Sequence, residues 1–146
     1  MAVWNYENAA HLLKRAAFGG TPEDVQAFLD SYASVAEAVD SLVNFSTSNK
    51  KPPKGGRDPY RAEPKQKAWW LKTMLKTRTP DSALREKMVL FWHNHLCSGF
   101  DKVRETAYDE VSTYMSIQNG LFRRYANGNF RDLVRDFNRD AVEVVE

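Results

Sequence analysis

The densest run of side chains able to do chemistry in this chain is His93-Asn94-His95-Leu96-Cys97. In an extended segment His93, His95 and Cys97 would share one face. Two imidazoles and a thiolate suit zinc, with water or a fourth ligand completing the tetrahedron. On a helix, residues two apart diverge by about 200°, and the two histidines could not reach one ion. Leu84, Met88, Phe91 and His95 recur at helical spacing, which favours the helix. His95 then reads as a core-edge histidine, His93 as a surface or interface one, and Cys97 as a small buried hydrophobe. A divalent metal such as zinc is the one cofactor these residues raise, at His93, His95 and Cys97.

Glu86 and His93 lie seven apart, on one helical face and roughly 10 Å from each other. Such a pair could bracket a ligand, or His93 could act as a base with Glu86 one water away. His11 and Arg15, four apart, could add to the same polar pocket. Glu86, His93 and His11 are therefore the catalytic candidates, against the plainer reading of a polar stripe.

Lys50, Lys51, Lys54, Arg57 and Arg61 form a basic segment that leads to Trp69-Trp70. Cations interleaved with aromatics suit a polyanion, and tryptophan faces suit sugar rings. The competing reading is a solvated lysine loop with the tryptophans in the core. Nucleic acid is the weakest fit, because no nucleic-acid motif accompanies the charge. Residues 46–78 carry ten Lys and Arg against two acids, so the overall +2 hides a +8 segment in a −6 remainder.

Further along, Arg131, Arg135 and Arg139 run beside Asp132, Asp136 and Asp140, the pattern of a salt-bridged solvent face or docking surface. Asn127-Gly128-Asn129 reads as a helix stop followed by a new N-cap.

The elements that must hold these residues are helices. A first helix fits Glu7 to Ala17, stopped by Gly19-Gly20. Thr21-Pro22-Glu23-Asp24 opens a second, and the Ser34-to-Glu37 capping box opens a third. Residues 46–63 read as a loop rich in Ser, Lys, Pro and Gly. A fourth helix is expected from Pro64 to Lys76 with Ala68, Leu71 and Leu75 inward, and a fifth from Thr79-Pro80-Asp81. A sixth would run from Glu105 to Tyr125 and a seventh through Phe130 to Phe137. No alternating run is long enough to build a sheet. The expected class is all-α: an irregular bundle of about six or seven helices, one domain over 1–146, with one long basic loop.

The composition, 42% hydrophobic and 12% aromatic, is that of a globular chain with a core to bury. No run approaches the ~20 apolar residues of a membrane span. The start, MAVWNYENAAHLLKR, lacks a basic-then-apolar signal peptide. One cysteine allows no internal disulfide.

Four segments in order, HLLKRAAFGGTPEDV (11–25), WWLKTML (69–75), LREKMVLFWHNHL (84–96) and QNGLFRRYANGNFRDLV (118–134), resemble the opening third of the bacterial domain of unknown function 1800 family. The resemblance implies a mostly helical, often exported protein of several hundred residues, and it names no reaction. It also implies a longer domain, so another protein chain or a C-terminal continuation is expected to cover the last helices. Tyr125 stands where the family commonly has histidine, and Leu96 where it has phenylalanine. Two functions remain. An interaction or scaffold domain ranks first; the alternative is the front of an exported metal-dependent or hydrolase-like enzyme acting on a polymer or glycan.

Overall fold

A computed structural model of the 146-residue chain describes residues 3–45, 51–54, 56–76, 80–96 and 98–142. Among them lie eight α-helices and no strand: α1 (Tyr6–Ala16), α2 (Pro22–Asp30), α3 (Val35–Val43), α4 (Pro59–Lys76), α5 (Pro80–His95), α6 (Phe100–Thr106), α7 (Val111–Arg124) and α8 (Phe130–Val142). The all-α expectation holds. The chain groups into two compact units, one of residues 1–46 and 74–87, the other of 47–73 and 88–146.

In the first unit the helix signals act locally as their chemistry requires. The Asn5 side chain accepts from the Asn8 N–H to start α1. Thr21 and Asp24 cap one another around Pro22, and Ser34 accepts from the Glu37 N–H. Ala9, Leu13, Val25, Phe28, Ala38, Leu42 and Ala83 form its core, with Trp4 and Tyr32 packed edge-on to Phe28. The Trp4 indole N–H reaches the Leu29 carbonyl at 3.0 Å, so the ring is partly buried without orphaning its donor. The end of α1 is held from a distance. Lys87 Nζ donates to the carbonyls of Lys14 (2.9 Å), Arg15 (3.0 Å) and Ala17 (2.6 Å), the carbonyls a helix end leaves without partners.

In the second unit three boundaries differ from expectation. Helix α4 begins at Pro59, five residues before the expected start, and the loop that was to reach residue 63 is shorter by the same amount. Asp58 supplies the missing N-cap: its carboxylate accepts from the Tyr60 N–H at 3.0 Å and its carbonyl from Arg61 and Ala62. Pro59 takes the first helical position, and Pro64 is carried inside the helix. The long sixth helix is two, α6 and α7, separated at Ala107, whose φ −139, ψ 65 is not helical. The expected inward leucines of α4 face out as well: Leu71 is 57% and Leu75 74% exposed, whereas Ala62 and Gln66 are buried and Trp69 and Trp70 half-buried. Burying two indoles removes more apolar surface than burying two leucines, and this decides the face.

Candidate functional site

Helix α7 has an unusual inner face. Ser112, Ser116, Asn119 and Arg123 are all buried, at spacings of four, three and four, beside Val111, Leu121 and Phe122. The two serine hydroxyls are answered within the second unit. Ser112 Oγ donates to the Gly56 carbonyl (2.9 Å) and Ser116 Oγ to that of Pro52 (2.5 Å). Gln66 on α4 donates to the carbonyls of Pro53 (3.2 Å) and Ser112 (2.6 Å). Pro52, Pro53 and Gly56 are therefore points of a strap held by side-chain donors from two helices, not a free loop. Gly120 lies under it, and a Cβ there would come within 3.3 Å of the Lys51 Cβ.

Between these elements opens a cavity of about 330 Å³, lined by residues of the second unit. Pro52 of the strap, Gln66 and Trp70 of α4, His93 of α5 and Met115 and Asn119 of α7 form its walls; Ser98 to Asp101 close one side. The wall has two acids, and each has a cation of its own. Glu63 is paired with Lys67 one turn on, and Asp101 with Arg104 at 2.8 Å. Arg104 in turn lies 4.9 Å over the Tyr60 ring. The acids of the wall are thus paired, at its solvent-facing side.

His93 is the titratable group on this wall whose state the fold controls. It is half-buried, edge-on to Trp70 at 5.3 Å and to Phe122 at 6.3 Å. Burial pushes its pKa below the usual histidine value, because the apolar surroundings disfavour the charged ring. Among the described residues neither ring nitrogen meets a hydrogen-bond partner. At neutral pH this is an uncharged imidazole on a ring that lines the cavity.

The other candidate residues are dispersed. His95 is exposed, stacked on Phe91 at 5.6 Å and 8°. Helix α5 runs through both His93 and His95, and the extended geometry a shared zinc needs is not formed; Cys97 lies outside the described residues. Among the described residues no three His, Cys, Asp or Glu side chains group as a metal site. Glu86 is fully buried, 3.8 Å from Arg85, and does not line the cavity, nor does His11, exposed on α1 in the first unit. Lys51, Lys54, Arg57 and Arg61 are on the surface, with Arg61 paired to Asp58; Lys50 lies outside the described residues. Their expected aromatic companions are turned inward: Trp69 packs under the Arg123 guanidinium at 5.1 Å and Trp70 lines the cavity.

The C-terminal Arg/Asp series is in part a solvent face, with Arg135 paired to Asp132 at 3.1 Å. Asp136, however, is buried and accepts from the Tyr125 hydroxyl at 2.5 Å. Asn129 caps α8 by accepting from the Arg131 N–H at 2.9 Å. Gln66, Ser98, Met115 and Asn119 escaped the sequence reading as site residues. The available signal was the polar spacing 112/116/119/123, which an apolar periodicity search passes over.

No helix among the described residues is long and apolar enough to cross a membrane. No curated protein and no solved structure matches the chain. A family model, described as protein of unknown function, matches residues 11–142, which contain all eight helices except the first five residues of α1. The chain belongs to the DUF1800 family.

Proposed function

We propose that the second unit binds a neutral, hydroxyl-rich ligand the size of one sugar ring, with His93 as the group that accepts a proton or hydrogen bond from it. The observation that carries this reading is the uncharged, half-buried His93 ring on the wall of a cavity whose acids are paired. An uncharged hydroxylated ligand leaves those ion pairs intact, while Trp70 and Phe100 supply aromatic surface for its C–H face. Hydrolase-like chemistry at this site would use the same imidazole as its base.

The test is a titration of the full chain with glucose, galactose and mannose, followed by NMR of the Trp70 indole and the His93 ring. Saturable shifts at both groups are expected with at least one sugar. Shifts absent from both, or confined to residues away from the cavity, would overturn the reading.

A second reading, an interaction domain, rests on a separate observation. Phe91 and Phe130 are 50% and 54% exposed, and with His95 and half-buried Trp92 they form one chain of stacked and edge-on rings. Aromatic surface of this kind is costly to leave in water and is typical of protein contacts.

A further inference from the structure

Two carboxamides on the cavity wall have one end committed to the fold and the other left over. Gln66, 7% exposed, gives its Nε2 to two backbone carbonyls, those of Pro53 and Ser112. What remains is its Oε1, an acceptor. Asn119, 5% exposed, uses its Oδ1 to accept from Arg123 Nε at 2.8 Å. What remains is its Nδ2, a donor.

Neither orientation can be reversed cheaply. Turning Gln66 over would set its oxygen against two carbonyl oxygens, and turning Asn119 over would set its N–H₂ against a guanidinium. Arg123 is itself buried and packed on Trp69, so it cannot move aside. Among the described residues neither Gln66 Oε1 nor Asn119 Nδ2 meets a partner. The cavity thus presents one fixed acceptor and one fixed donor, on side chains more than nine-tenths buried. Buried polar groups of this kind are costly when unanswered and selective when answered.

A secondary amide carries the complement of both, an N–H for Gln66 Oε1 and a C=O for Asn119 Nδ2. Building on the pocket proposed above, the geometry points to a sugar ring bearing a secondary amide, an acetamido sugar, as the ligand class of this site. Met115 and Phe100 supply apolar wall for the acyl methyl group, and Trp70 for the ring. A sugar is favoured over a peptide because a cavity near 330 Å³ is at the small end of ligand sites and encloses one ring better than a chain.

The experiment is calorimetric titration of the full chain with N-acetylglucosamine, glucose and N-acetylalanine methylamide, repeated on Asn119→Asp. That substitution keeps an oxygen for Arg123 to donate to and turns the free donor into an acceptor. N-acetylglucosamine is expected to bind about tenfold more tightly than glucose, the worth of one or two neutral hydrogen bonds, and the ratio to collapse in Asn119→Asp. Should the variant fail to fold, NMR of the Asn119 carboxamide in the unaltered chain replaces it; the resonance should move with N-acetylglucosamine and not with glucose. Equal affinities for the two sugars, an unmoved carboxamide, or a ratio kept in Asn119→Asp would overturn the amide inference and leave the pocket standing. Tighter binding of the peptide mimic would overturn the choice of a sugar. Binding of none of the three would overturn the pocket itself.

Discussion

Burial holds His93 neutral, and that has a thermodynamic signature at the residue scale. Its folded pKa lies below that of an unfolded histidine, about 6.5. Above that value both states are uncharged and the residue's contribution to stability is fully present. As pH falls the unfolded chain takes up the proton first, so stability is lost progressively until the folded pKa is reached. His93→Gln should therefore flatten the fall in Tm between about pH 7 and 5, measured by circular-dichroism melts. An unchanged slope would mean that burial does not govern this ring. Asp136 behaves in the usual carboxylate direction. The Tyr125 hydroxyl holds its pKa low, and Tyr125→Phe should lower Tm most at neutral pH, with the difference from the unaltered chain closing in acid. Neither effect was readable beforehand: the sequence marked His93 as a base but paired it with Glu86, and treated Asp136 as part of a solvent face. Which neighbours desolvate a side chain is a matter of packing, and one helix does not specify it.

At the scale of elements, two long-range ties do what no local capping signal does. Lys87 closes α1 by donating to three carbonyls some seventy residues away. Lys87→Met keeps the aliphatic stem and removes the charge, and it should cost about 2 kcal/mol in urea unfolding. A loss within about 0.5 kcal/mol, that of an ordinary surface change, would show the cap to be unimportant. Ser116 anchors the strap from the middle of α7. Ser116→Ala leaves the buried Pro52 carbonyl without its donor, a loss of about 1–2 kcal/mol, with faster protease cleavage between residues 51 and 56. Most helix starts were legible, because Thr21, Ser34 and Asn129 act through their own backbone. The strap was not. A run of Lys, Pro and Gly gives no sign that serines on a distant helix will satisfy its carbonyls.

For the whole molecule, the surface carries the remaining prediction. If the Phe91, His95 and Phe130 patch docks a protein chain, Phe91→Ser with Phe130→Ser should reduce concentration-dependent association in sedimentation velocity and leave far-UV circular dichroism unchanged. Association that persists in the double variant would remove the patch from consideration. Composition, capping residues and 3.6-residue periodicity determined by themselves that this chain is all-α, where most of its helices start, and which family it resembles. Those signals depend only on neighbours within one helical turn. Tertiary structure alone decided that α4 half-buries its tryptophans and exposes its leucines, that the sixth helix expected over 105–125 breaks at Ala107, and that the basic loop is in part a pinned strap. It alone also brought Gln66, Trp70, His93 and Asn119 from three helices to one cavity, while His95 and Glu86, on the same helix as His93, do not line it. Periodicity says that a helix has an inner face. Only the competition among all side chains for a limited interior says which face that is, and which polar groups it must satisfy on the way in.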